Sequence, residues 1–160
     1  MSALDLQRIL IKELTGLFSG QLFQKPRESE DDEISYVPLN FFSQSLPFSE
    51  GEDGITYAPF IAVQIQGGKQ DDETEPEDAT VIFDIGIYDD GKENQGHVTV
   101  CNIIETIRQY LFKNRIHGGK YYIKLPFTWQ INTEDYYSRF AGSIETHWNL
   151  PLTIMEDPYL

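Results

Sequence analysis

The chain has 160 residues, a formal net charge of −14 at pH 7, and 40% hydrophobic and 13% aromatic residues. One domain of that length buries roughly two-thirds of its unfolded surface, and the apolar content excludes general disorder. Cys101 is the sole cysteine, which excludes an intramolecular disulfide and suits a reducing compartment.

A helix is expected over about residues 2–18. Ser2 suits the N-cap, Leu6, Ile9, Leu10, Glu13, Leu14 and Leu17 recur at helical spacing, and Gly16 or Gly20 ends the run. Charges run through the apolar positions of this stretch, so no signal peptide or membrane span is expected from it, and no later run is long enough to cross a bilayer. Residues 21–57 read as an irregular segment, interrupted by Pro26, Pro38 and Pro47 and containing the acidic run Glu28 to Glu33, ESEDDE. Its Phe41, Phe42, Leu46 and Phe48 either pack under the loop or form a patch for a neighbouring subunit, which makes them interface candidates.

The sheet and central helix are expected within residues 60–150. FIAVQIQ, residues 60–66, places Ile61, Val63 and Ile65 on one face of a strand. ATVIFDIGIY, residues 79–88, is the expected central strand, with Val81, Phe83, Ile85 and Ile87 on one face and Ile82, Asp84, Gly86 and Tyr88 on the other. Between the two strands lie Gly67-Gly68 and a second acidic run, Asp71 to Asp78, too long for a tight turn. Two antiparallel strands extended into a projecting hairpin with an acidic tip are expected there. The two acidic runs together hold eleven acids and no Lys or Arg, and removing them from −14 leaves −3 for the remainder. They read as solvated loops, or as surfaces that repel nucleic acid or meet a basic partner. Asp71, Asp72, Glu73, Glu75, Glu77 and Asp78 are the binding candidates. A conventional DNA-binding role is disfavoured, because phosphate contacts need a basic patch and the sequence has no run of Lys and Arg.

A second helix follows, on which Val98, Cys101, Ile104, Ile107, Arg108 and Leu111 trace helical steps and Val100, Ile103 and Tyr110 widen the apolar side. Lys113, Arg115 and His117 suit its C-terminus, and Gly118-Gly119 are expected to stop it. Strands are expected at 121–125 and, past Pro126, at 128–131. The last strand, 139–150, puts Phe140, Gly142, Ile144, Thr146, Trp148 and Leu150 on one face, and Pro151 opens a tail over 151–160. The expected fold is a single α+β domain over 1–160, a single mostly antiparallel sheet with two helices packed on one face and a projecting acidic hairpin.

Little chemistry is legible. His97, His117 and His147 share no short metal-ligand spacing and no Cys pair accompanies them, so neither a metal site nor a cofactor is expected. Cys101 reads as a small core residue. Asp89-Asp90 and Glu134-Asp135 read as turn formers, since carboxylate pairs without a positioned base or pocket make no active site. Asp84 interrupts the central strand and, if buried, needs a partner among Arg108, Lys124 and Arg139. Trp129 and Trp148 read as core or interface anchors and join the interface candidates.

The run from Ile85 through Leu125 and the C-terminal FAGSIETHWNLP resemble the tail terminator and tail-completion (head-tail joining) proteins of long-tailed bacteriophages and prophages. The shared pattern is a strand ending in Tyr-Asp-Asp, a Gly-containing loop opening a helix, a paired strand, and a final strand carrying Gly142, Ser143, Ile144, Glu145, Thr146, Trp148 and Pro151. It covers about the C-terminal half and does not extend to the acidic runs. The resemblance implies a structural virion protein, not an enzyme. It implies a homo-oligomeric ring, a hexamer, at the head-proximal end of the tail, assembled in the host cytoplasm, with the tail tube protein and head connector as partners. DNA would pass through without specific binding, and acidic walls would repel phosphates over roughly 10 Å at ordinary salt. The alternatives are a joining or completion subunit at a different position, a cellular acidic adaptor recruiting a basic partner, and a small hydrolase using Asp84 or Asp89/Asp90 with a His and a metal.

Overall fold

A strand alternating Val81, Phe83, Ile85 and Ile87 with the mixed set Ile82, Asp84, Gly86 and Tyr88 has to cover its apolar face. In the computed structural model, which describes residues 2–47, 57–93, 95–133 and 138–152, those four side chains are 0–2% exposed. Among the described residues the elements in chain order are α1 (Ala3–Leu17), β1 (Phe23–Gln24), β2 (Tyr36–Val37), β3 (Asn40–Ser43), β4 (Phe60–Lys69), β5 (Asp78–Asp89), α2 (Gly96–Lys113), β6 (Ile116–His117), β7 (Tyr121–Ile131) and β8 (Ser138–Asn149). The fold is α+β. A mixed six-stranded sheet has the order β3-β4-β5-β8-β7-β6, and β1 with β2 forms a separate two-stranded sheet.

The central pair β5 and β8 is antiparallel over its whole length. Its register sets Ile87 opposite Phe140, Ile85 opposite Gly142, Phe83 opposite Ile144, Val81 opposite Thr146 and Ala79 opposite Trp148. All lie on the face that the helices cover. From α2, Val100, Ile103, Ile104, Ile107 and Leu111 enter the same core as Leu6, Leu10 and Leu14 of α1. Gly96 opens α2 because nothing larger fits: a Cβ there would stand 2.0 Å from the Phe140 ring.

The N-terminal half of α1 is fixed by polar contacts. The Ser2 hydroxyl accepts a bond from the Asp5 N–H at 3.2 Å, an N-cap. Tyr121 of β7 donates its hydroxyl to Asp5 Oδ2 at 2.6 Å, and burial together with that bond pushes the phenol up to about 12. Gln7, a buried polar residue within the apolar stripe, donates to the Val63 carbonyl at 2.7 Å.

Several expectations need correction. The sheet is not single, because residues 23–24 and 36–37 pair with each other apart from the main sheet, and β3 joins β4 in parallel. The acidic hairpin does not project: β4 and β5 stay paired to Lys69 opposite Asp78, and β5 stays paired to β8 as far as Asp78 opposite Asn149. Gly118-Gly119 do not end α2, which stops at Lys113 with Asn114 extended. With φ of +62° and +74° they form the tight turn between β6 and β7, closed by the Lys120 N–H on the His117 carbonyl. Arg115 and His117 therefore belong to the sheet rim. The His117 ring nonetheless meets α2, with Nε2 3.0 Å from the Leu111 carbonyl and Nδ1 3.0 Å from Glu13 of α1. Pro126 does not divide β7 into two strands; the register shifts between Lys124 and Thr128 instead, which a rim strand tolerates.

Phe83→Ala is expected to cost about 3–5 kcal/mol, the range for truncating a fully buried Phe. The check is the urea midpoint, and a shift no larger than that of an exposed site would contradict the placement of this core.

Candidate interaction surfaces

Four surfaces carry the candidate residues. The first is the acidic loop 70–77. Asp71, Asp72, Glu73, Glu75 and Glu77 are exposed, and the loop is shaped by an Asx turn in which Asp72 Oδ1 accepts from the Thr74 N–H at 2.9 Å and its hydroxyl at 3.0 Å. Those bonds hold the Asp72 carboxyl below its ordinary range. Asp78 is not part of this loop surface: it is a half-buried strand residue bonded to Lys124 at 2.5 Å.

The other acidic run, 28–33, folds around one cation. Arg27 Nε meets Asp90 Oδ2 at 2.5 Å, and its Nη1 donates to the carbonyls of Glu30 at 3.0 Å and Asp32 at 2.7 Å. Gln24 donates to the other Asp90 oxygen at 2.7 Å. The Arg27 bond, ahead of Gln24's, holds Asp90 below its ordinary range. This joins the small sheet and its acidic loop to the end of β5.

The aromatic segment around β3 is the second surface, and it mostly covers the protein's own sheet. Phe41 packs against the main core. Phe42 stands edge-on to Tyr57 at 5.9 Å and Phe60 at 6.2 Å, and with Leu46 it lies against Ala58 and Ala62 in a satellite cluster. Phe48 lies outside the described residues. Past Ser43 a side chain continues the pairing: Gln44, at φ +76°, donates from Nε2 to the Ile65 carbonyl and accepts from the Ile65 N–H on Oε1, both at 2.9 Å.

The third surface is the β7 rim. β6 pairs with β7 only at Tyr121 and Tyr122, followed by one bond from the Ile123 N–H to the Arg115 carbonyl. From residue 124 to 131 no described strand pairs on that side. Leu125 is 63% and Trp129 54% exposed there. With Arg108 and Phe112 of α2, Arg115 and Phe127 they line a groove of about 370 Å³. Arg115 lies 5.0 Å over the Phe112 ring and donates to the Tyr122 hydroxyl at 2.9 Å. Trp148, in contrast, is no interface residue. It is 0% exposed, with its indole N–H donating to Thr146 at 2.8 Å, whose hydroxyl in turn donates to the Val81 carbonyl at 2.7 Å. Every polar atom of that pair is satisfied inside the core.

The fourth is the sheet face turned away from the helices, where Asp84 sits half-buried in a hollow with Gln130, Asn132 and Ser143. None of its expected partners reaches it. Arg108 is bonded to Glu105 and Lys124 to Asp78, and no bond or ion pair joins Arg139 to Asp84. Burial alone raises the Asp84 carboxyl above its ordinary 3.8. His117 is buried at the β6–β7 turn, His97 opens α2, and His147 meets Thr80 at 3.3 Å on β8. Among the described residues no three His, Cys, Asp or Glu side chains group as metal ligands, and no helix is long and apolar enough to cross a membrane.

Sequence reading missed that Arg108 and Arg115 meet in the groove beside β7. Residues 106–133 contain Arg108, Lys113, Arg115, Lys120 and Lys124 and not one acid, so the remaining residues carry −19. The signal was the acid-free gap between Glu105 and Glu134, visible only once adjacency stops being the criterion.

Trp148→Ala is expected to cost about 3–5 kcal/mol and Trp129→Ala within about 0.5 kcal/mol, measured by thermal or urea unfolding; equal costs would contradict the two placements. Asp84 and Asp90 act with opposite sign on stability. The lowered Asp90 contributes stability above 3.8 that is lost as pH falls through its folded value. The raised Asp84 contributes in full below 3.8 and loses it as pH rises through its folded value. Asp84→Asn is therefore expected to stabilise the protein at neutral pH by an amount that shrinks toward pH 4, and urea titrations across that range check it. No protein-family model matches the chain, and no curated protein matches it either.

Proposed function

We propose that this chain is a structural subunit of a long-tailed phage or prophage virion that caps the tail tube and forms the interface to the head connector, working by ring self-assembly and docking. The observation that supports it most is the β7 rim, where a strand with no described neighbour on its outer side beyond Ile123 displays Leu125 and Trp129 to solvent. Large apolar side chains grouped beside an unpaired rim are costly to leave wet and suit a protein partner. A closed ring needs two different surfaces on each subunit, and the opposite side of the sheet is differently made, its Ile65 groups satisfied by Gln44. Five of the six acidic candidates, Asp71, Asp72, Glu73, Glu75 and Glu77, lie on an exposed loop open to a partner of opposite charge. In this reading the partners are further copies of the chain, the tube protein and the connector, no reaction is performed, and the subunit resides at the head-proximal end of the tail.

The test is electron microscopy of particles from a strain lacking this gene. Overlong tails without heads are expected. Filled heads beside detached tails of normal length would replace capping with a joining role, and normal particles would overturn both.

A further inference from the structure

We infer that the basic aromatic groove between α2 and β7 receives the acidic 70–77 loop of a second copy of this chain, joining copies head to tail. The inference rests on the self-assembly reading above and says which two surfaces meet.

Three observations converge on it. The groove is lined by Phe112, Leu125, Phe127 and Trp129 with Arg108 and Arg115 among them, so it offers apolar walls and fixed cations together. The acid-free stretch 106–133 carries five cations in a chain that is otherwise at −19; Arg108, paired with the exposed Glu105, and Arg115 line the groove, while Lys120 and Lys124 pair with Asp5 and Asp78. The complementary piece is in the same chain: residues 71–77 hold five acids and no Lys or Arg, and all five are exposed. Among the described residues the one ion pair these acids form is Asp71 with Lys69 at 3.0 Å, and that pair is itself exposed. β4 and β5 stay hydrogen-bonded up to the loop's ends at Lys69 and Asp78, and the Asx turn at Asp72 shapes its middle, so the loop is partly organised before it docks.

The loop joins β4 to β5, whereas the groove flanks β7, with β8 between. Donor and acceptor surfaces therefore differ, the condition for a heterologous contact that continues from copy to copy. Charge attraction of this kind governs partner choice and encounter and weakens with salt, while burial of Leu125 and Trp129 supplies the apolar part.

The experiment is sedimentation velocity with light scattering on the full chain at low and high salt, using Arg108→Glu with Arg115→Glu as the groove variant and Glu73→Lys with Glu75→Lys as the loop variant. Arg108, Glu73 and Glu75 are exposed and Arg115 is half-buried, and Asp72 is left intact to keep the turn. The wild type is expected to self-associate with a mass that rises with concentration and falls with salt. Each variant alone should associate at least about tenfold more weakly. An equimolar mixture of the two should recover association, because each then supplies the surface the other reverses; recovery also shows that both fold. As a positional check, Glu75→Cys with Arg115→Cys in a Cys101→Ser background should give a disulfide-linked ladder on oxidation.

A wild type that stays monomeric at every concentration overturns the inference. So does association that neither reversal weakens, and in that case self-assembly stands while these surfaces do not carry it. Loss on groove reversal without loss on loop reversal also overturns it, assigning the groove to a different acidic partner. Tail length in the deletion strain is read independently of all three.

Discussion

The structure depends on one pairing. β5 and β8 run antiparallel through twelve matched positions, and their shared helix-side face, from Ile87 with Phe140 to Ala79 with Trp148, is the surface on which α2 rests, while α1 lies over the neighbouring β4 and β3. Each side chain there is apolar or internally satisfied, as Thr146 is by donating to the Val81 carbonyl. Because side chains alternate faces with a period of two, a slip of one residue would turn this whole set to the opposite side. The register of these two strands therefore decides what α1 and α2 can cover, and so where the rims of the sheet end.

The rims differ because of what the core leaves over. On the β4 side, Phe42, Leu46, Phe60 and Tyr88 build a satellite cluster over the second face of the sheet. On the β7 side, α2 ends at Lys113 and β6 is only two residues long, so the rest of β7 runs on beyond any described cover. The same short β6 holds His117 against Trp148 at 5.4 Å and against Glu13, tying α1 to the rim. A well-anchored beginning and an open continuation thus belong to a single strand.

Most of the architecture was legible from periodicity. The alternation through residues 79–88 located β5, the leucines of α1 and the isoleucines of α2 located the helices, and residues 139–150 gave the last strand nearly to the residue. What stayed hidden depended on partners distant in the chain. The parallel addition of β3 to β4 leaves no mark on four residues, NFFS. The two glycines at 118 and 119 serve a helix end and a hairpin equally well until Lys120 bonds to His117. Trp129 and Trp148 look alike in sequence, yet one faces solvent and the other donates its indole proton within the core. The two groove cations, Arg108 and Arg115, stand on different elements, and only folding brings both beside Leu125, Phe127 and Trp129.

Gln44 gives the sheet a polarity. Its amide stands in for a backbone unit, offering Ile65 one donor and one acceptor, and Gln7 of α1 donates to the same oxygen at 3.1 Å. Ile65 is thus closed by a side chain where the outer side of β7 is left open, so the two sides of the sheet would offer a partner different groups.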